Sequence, residues 1–127
     1  MKIRLFIVLI ISANSCWAYS SKDIYEHLDI TSFNSSLIPK ISNDEKYFSD
    51  FKSFSPTITN SKINIESEHW NYTINIVKEN KKGIYVCFTD KAKEGSYDSQ
   101  FPMIIRKYAN DYVAIQRRSN VCDEYSK

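Results

Sequence analysis

Three carboxylates, Asp90, Glu94 and Asp98, recur at every fourth position in one polar stretch, and they are the residues whose types and spacing first suggest chemistry. Oxygen ligands around a glycine are the right kind for calcium, and Gly95 can supply the positive-φ turn that such a loop needs. The spacing does not match the known calcium loop, and Lys91 and Lys93 would repel a cation. No metal site is expected. Asp90 and Asp98 are also the pair to consider for carboxylate-dependent hydrolysis, which needs two such groups flanking one scissile bond. His27 and His69 are the candidate bases, yet neither stands at a recognisable spacing from Ser, Cys or Asp. Two histidines without a further Cys or His cluster make a poor zinc site. With only two glycines in the chain, a Gly-rich phosphate loop and a dinucleotide fingerprint are excluded. The chain is read as a non-enzyme without a cofactor.

The same stretch, residues 91–101, is the one long connection between expected strands in the C-terminal half. Loops held on a rigid scaffold often carry function. Glu94, Tyr97, Asp98 and Phe101 are therefore the candidate partner-binding residues, with Tyr97 as aromatic anchor and Asp98 as charged partner. The opposing reading is a solvated crossover with Tyr97 packed on the sheet edge.

The elements that must position these residues follow from periodicity. Ser20-Ser21-Lys22-Asp23 resembles a helix start, with an N-cap and an acidic first turn. Ile24, Tyr25, Leu28 and Ile30 give that helix an apolar face. Residues 31–39 are rich in Ser, Thr and Asn and should be irregular. Ser42-Asn43-Asp44-Glu45 is a capping-box pattern, and Tyr47, Phe48 and Phe51 follow at helical spacing, so a second short helix is expected over residues 43–52 and ends near Phe54 and Pro56.

From there the chain reads as strands. Ile63 and Ile65 alternate with polar residues, as do Trp70, Tyr72, Ile74 and Ile76. Residues 78–83 form a charged hairpin loop. Residues 84–89 are apolar on both faces and should be central. Residues 103–108 and 112–117 add two more strands about a tight turn at 109–111. Short connections between consecutive strands give an antiparallel meander. The expected fold is α+β: one or two short N-terminal helices packed on a four- to five-stranded antiparallel meander sheet with one disulfide.

Residues 1–18 read as a signal peptide. Lys2 and Arg4 precede the apolar run Leu5-Phe6-Ile7-Val8-Leu9-Ile10-Ile11, and Cys16-Trp17-Ala18 permits cleavage before Tyr19. The run is shorter than the roughly 20 apolar residues that span a bilayer, so no membrane span is expected after cleavage. Lipid attachment at Cys16 is the alternative, for which Ala13, Asn14 and Ser15 are a poor match. Residues 19–127 then form a single domain. The precursor has 17 basic and 15 acidic residues; losing Lys2 and Arg4 leaves 15 of each and no net charge. That balance lacks the basic stripe a nucleic-acid binder needs. Without Cys16, Cys87 and Cys122 remain, and an even count in an exported small domain implies a disulfide.

Asn34-Ser35-Ser36 and Asn71-Tyr72-Thr73 fit the glycosylation pattern, which matters only in a eukaryotic source. The Ile, Lys and Asn bias and the compact signal fit a bacterium, so the periplasm or the cell exterior is the expected location. Nine Tyr and seven Phe supply contact area at low entropy cost. The expectation is a protein-binding domain with a protein partner, ranked first as a periplasmic inhibitor or immunity protein that blocks an envelope-targeting enzyme or toxin. The alternatives are a non-catalytic envelope-maintenance or surface-accessory protein and a small carboxylate-dependent envelope hydrolase.

Overall fold

The computed structural model describes residues 20–120, 122 and 123; the expected signal peptide, Cys16 and the cleavage point at Tyr19 lie outside the described residues. Ser20 caps α1 (Ser21–His27): its side chain accepts from the Asp23 N–H at 3.1 Å. Ile24 and Tyr25 on the helix and Leu28 at its C-cap are buried, as the apolar spacing requires. The chain then leaves α1 as an extended segment. Leu28 bridges Tyr112 in parallel, and the Asp29 N–H donates to the Tyr112 carbonyl at 2.8 Å. Ile30, Phe33 and Leu37 continue the buried surface through the irregular stretch.

The second helix expected over residues 43–52 does not form. A single 3-10 turn, Phe48–Asp50, stands there, and another occupies Ile38–Lys40. The cause is competition for the backbone. Ser42 donates from both its N–H and its hydroxyl to one Glu45 carboxylate oxygen, at 3.0 and 2.8 Å, so its hydroxyl does not cap a helix. Asp50 accepts the N–H groups of Lys46 and Tyr47, and the Lys46 carbonyl takes the Ile30 N–H. These groups are tied to side chains and to a neighbouring segment instead of to a helical ladder.

Six antiparallel strands follow in consecutive order: β1 (Ser55–Ile58), β2 (Lys62–Glu66), β3 (Trp70–Asn80), β4 (Gly83–Ala92), β5 (Asp98–Tyr108) and β6 (Asp111–Gln116). The architecture is therefore mostly antiparallel sheet with one α-helix, and it has six strands where four or five were expected. β1 carries no alternation to detect. Ser55, Pro56 and Thr57 are all exposed, and a proline is tolerated there because the strand is at the edge. The loops at 78–83 and 91–101 are also shorter than expected. Strand pairing extends to Asn80 and Gly83 around Lys81 and Lys82, and to Ala92 and Asp98 around residues 93–97.

Pairing sorts the side chains between two faces. Ile65, Tyr72, Ile74, Val86, Phe88, Met103, Ile105 and Ala114 point towards α1 and residues 28–54, where they form the core. Each fully buried Ile, Val, Phe or Met among them contributes about 1.5–3 kcal/mol. β4 is central and apolar on both sides: Cys87, on the opposite face from Val86 and Phe88, is fully buried. Cys87 and Cys122 are bonded, with their Cα atoms 5.2 Å apart, which holds the C-terminal segment across that outer face. The Arg117 N–H donates to the Pro102 carbonyl at 3.0 Å along the same path.

Candidate partner-binding surface

Alternate turns of a meander fall at alternate ends of the sheet. The β4–β5 turn therefore lies beside the β2–β3 turn; one backbone bond joins them and another closes the β4–β5 turn on itself. The Lys93 N–H donates to the His69 carbonyl at 2.9 Å, and the Ala92 N–H donates to the Tyr97 carbonyl at 2.9 Å. Lys93 Nζ also lies 3.5 Å from Glu66 Oε2. Gly95 has φ +99 with open space where a side chain would be, so its need is purely conformational.

On this support Tyr97 stands 47% exposed, its ring edge-on to Trp70 with centroids 5.4 Å apart. Trp70 is half-buried, lies nearly parallel to the buried Tyr72 ring, and has Lys40 Nζ 4.7 Å from its centroid. Next to Trp70 a groove of about 390 Å³ opens between Leu37, Phe51, Phe54 and Tyr72. The hairpin tip and the 37–54 segment thus form one aromatic ledge with cations and carboxylates at its margin.

The four residues expected to bind a partner are not all on this ledge. Tyr97 and Phe101 share its side; Phe101 is half-buried and packs on Phe88 with centroids 5.4 Å apart. Glu94 is exposed on the turn. Asp98 is exposed on the opposite face, directly across from Lys91. Tyr97 packs on the sheet end against Trp70, and about half of it remains open.

Asp90 lies inside β4 and has no exposure. Its carboxylate accepts the Ser36 N–H at 2.6 Å and the Ser36 hydroxyl at 2.7 Å, and the Tyr72 hydroxyl sits 3.1 Å from that same Ser36 oxygen. Burial pushes the Tyr72 hydroxyl pKa up; the Ser36 hydrogen bond opposes this and the Asp90 charge adds to it. Since Asp90 pairs with Ser99 and Lys91 with Asp98, Asp90 and Asp98 point to opposite faces. These carboxylates do not flank a common cleft. Among the described residues no group of three or more His, Cys, Asp or Glu is placed to hold a metal ion.

A second polar cluster escaped the sequence reading. Asp111, at the start of β6, accepts from Lys46 Nζ at 2.6 Å and from the Tyr47 hydroxyl. The bond from Lys46, followed by that from Tyr47, holds the Asp111 carboxyl below the usual carboxylate range. The same bonds hold Lys46 and Tyr47 above their ordinary values. His27 stands beside it, its Nδ1 3.1 Å from Asp23 Oδ1 and its ring edge-on to Tyr47. No local motif reveals a cluster whose members are 64 and 65 residues apart. His69, by contrast, is exposed, with Nε2 3.9 Å from Glu68.

Among the described residues no helix is long and apolar enough to cross a membrane. No protein-family model, curated protein or solved structure matches the chain.

Proposed function

We propose that the chain is an exported protein-binding domain that acts in the periplasm or outside the cell, as an inhibitor or immunity protein that blocks an envelope-targeting enzyme or toxin. The supporting observation is the placement of Tyr97: half-exposed, braced by Trp70, and carried on a hairpin that is bonded to the neighbouring turn. An aromatic anchor that is rigid before binding loses little entropy on contact. The groove beside Trp70 offers a concave neighbour in which a partner side chain can be desolvated. The bonded Cys87 and Cys122 suit an oxidising compartment, in keeping with the apolar leader in the sequence.

The test is affinity capture from envelope extracts and against the products of neighbouring genes, followed by reconstitution with the purified partner. Tyr97→Ala should weaken the purified pair, and Tyr108→Ala, at the other end of the sheet, should not. Absence of any protein partner, or equal binding by both variants, would reject this reading.

A further inference from the structure

The Trp70 ring already holds a cation from its own chain. Lys40 Nζ lies 4.7 Å from the ring centroid, and both residues line the groove of about 390 Å³ between residues 37–54 and the β2–β3 turn. Lys40 is exposed, and among the described residues no ion pair involves it. The ring is what fixes its ammonium, and at an exposed site such a contact is weak. A cation that suits the ring better can displace it.

The rest of the groove has the chemistry of a guanidinium site. Its aromatic floor is continuous. Trp70 and Tyr72 stand two apart on β3 and so share one face of the sheet. Phe54 packs on Tyr72 with centroids 5.8 Å apart and stacks on Phe51 at 4.8 Å. Two carboxylates line the same groove from different segments, Glu45 from residues 37–54 and Glu68 from the β2–β3 turn. Glu45 is half-buried, and its Oε1 accepts the Ser42 N–H and hydroxyl, which orients the carboxylate. The Glu68 side chain is 87% exposed, with His69 Nε2 3.9 Å away. Lys40 is the one Lys or Arg in the lining, so carboxylates outnumber fixed cations two to one. A planar guanidinium can stack on an aromatic ring and present its fork of N–H groups to carboxylates at the same time; a lysine ammonium has no plane to stack. Arginine is also among the residues that most often carry the energy of an interface.

We infer that this groove receives an arginine side chain of the protein partner, whose guanidinium takes the place of Lys40 on Trp70 and pairs with Glu45 and Glu68. This rests on the proposed function and names the partner chemistry that the ledge recognises. Lys40 then acts as an internal competitor, and removing it strengthens binding although it lines the site.

The test uses the purified protein, labelled with ¹⁵N, and two probes: N-acetyl-arginine methylamide and its neutral isostere N-acetyl-citrulline methylamide. The arginine probe should give saturable shifts at the Trp70 indole N–H and at the amides of residues 67–70. The citrulline probe should bind about tenfold more weakly or worse. Lys40→Ala should tighten arginine binding by about threefold, and Glu45→Gln with Glu68→Gln should weaken it by about fivefold, with the remaining amides unmoved. No saturable arginine binding, equal binding of the two probes, or Lys40→Ala that leaves affinity the same or lower overturns the inference. The two proposals fail separately. A protein partner held through Tyr97 by a chain that takes no arginine keeps the proposed function and rejects this inference. Arginine binding with the predicted responses, but no protein partner, keeps the guanidinium site and rejects the proposed function.

Discussion

The buried carboxylate of Asp90 and the backbone and hydroxyl of Ser36 meet at 2.6 and 2.7 Å across 54 residues of chain, joining the irregular N-terminal half to the centre of the sheet. Asp90 has no solvent to replace these partners. Ser36→Ala should therefore destabilise the fold by about 1.5–3 kcal/mol, the range for a hydrogen bond to a charged group. Asp90→Asn, which turns an acceptor into a donor facing donors, should cost at least as much. Urea unfolding of both variants checks this; midpoints equal to the parent's would contradict the contact.

The Cys87–Cys122 bond spans 35 residues, and closing a loop of that length contributes about 4 kcal/mol in the chain-entropy model. Reduction, or Cys122→Ser, should lower the melting temperature markedly. Intact mass after alkylation without reductant should show neither cysteine modified; two labelled thiols would count against the bond.

Asp111 sets the pH response of the α1–β6 corner. Its folded pKa is depressed, so its contribution is present above the ordinary carboxylate value, about 3.9, and is lost as pH falls through the lower folded value. Lys46 and Tyr47 are raised, so theirs are present below their ordinary values, about 10.4 and 10, and are lost as pH climbs through the higher folded ones. The stability difference between the parent and Asp111→Asn should be largest near neutrality and shrink towards both extremes. A pH-independent difference would show that the three groups do not act together.

Gly83 has φ +142, and a Cβ there would lie 2.6 Å from the Ile105 carbonyl oxygen. Gly83→Ala should cost more than about 1 kcal/mol, since both the conformation and the space are wrong for a side chain. Gly95→Ala meets no neighbour and should cost less. Equal losses in a denaturant titration would contradict the close approach of the β3–β4 hairpin to β5.

How much of this was legible in the sequence depended on whether the determining contacts were local. The start of α1 follows from Ser20, whose side chain accepts the Asp23 N–H, and from the acidic Asp23 in the first turn, and the central place of β4 follows from apolar residues on both of its faces. The helix expected over 43–52 had the right capping letters, but Asp50 and Ile30 took the backbone groups that a helix would have used. β1 was hidden because an exposed edge strand containing Pro56 has no period to read. Asp90 looked like a loop carboxylate because nothing nearby announces Ser36, 54 positions earlier. Tyr97 was legible as a candidate; its support by Trp70 was not.

The central claim is that the partner contacts the ledge built on Tyr97 and Trp70. The most direct measurement is the dissociation constant of the reconstituted pair for the parent, for Tyr97→Ala, and for Tyr97→Ala with Asp98→Ala, with melting temperatures taken alongside. Removing an aromatic anchor at an interface centre costs about 2 kcal/mol or more, so Tyr97→Ala should weaken binding by roughly thirtyfold with the melting temperature nearly unchanged. The added Asp98 substitution should change little further, because Asp98 faces the other side of the sheet. Affinity indifferent to Tyr97, or lost only together with the melting temperature, would contradict the assignment.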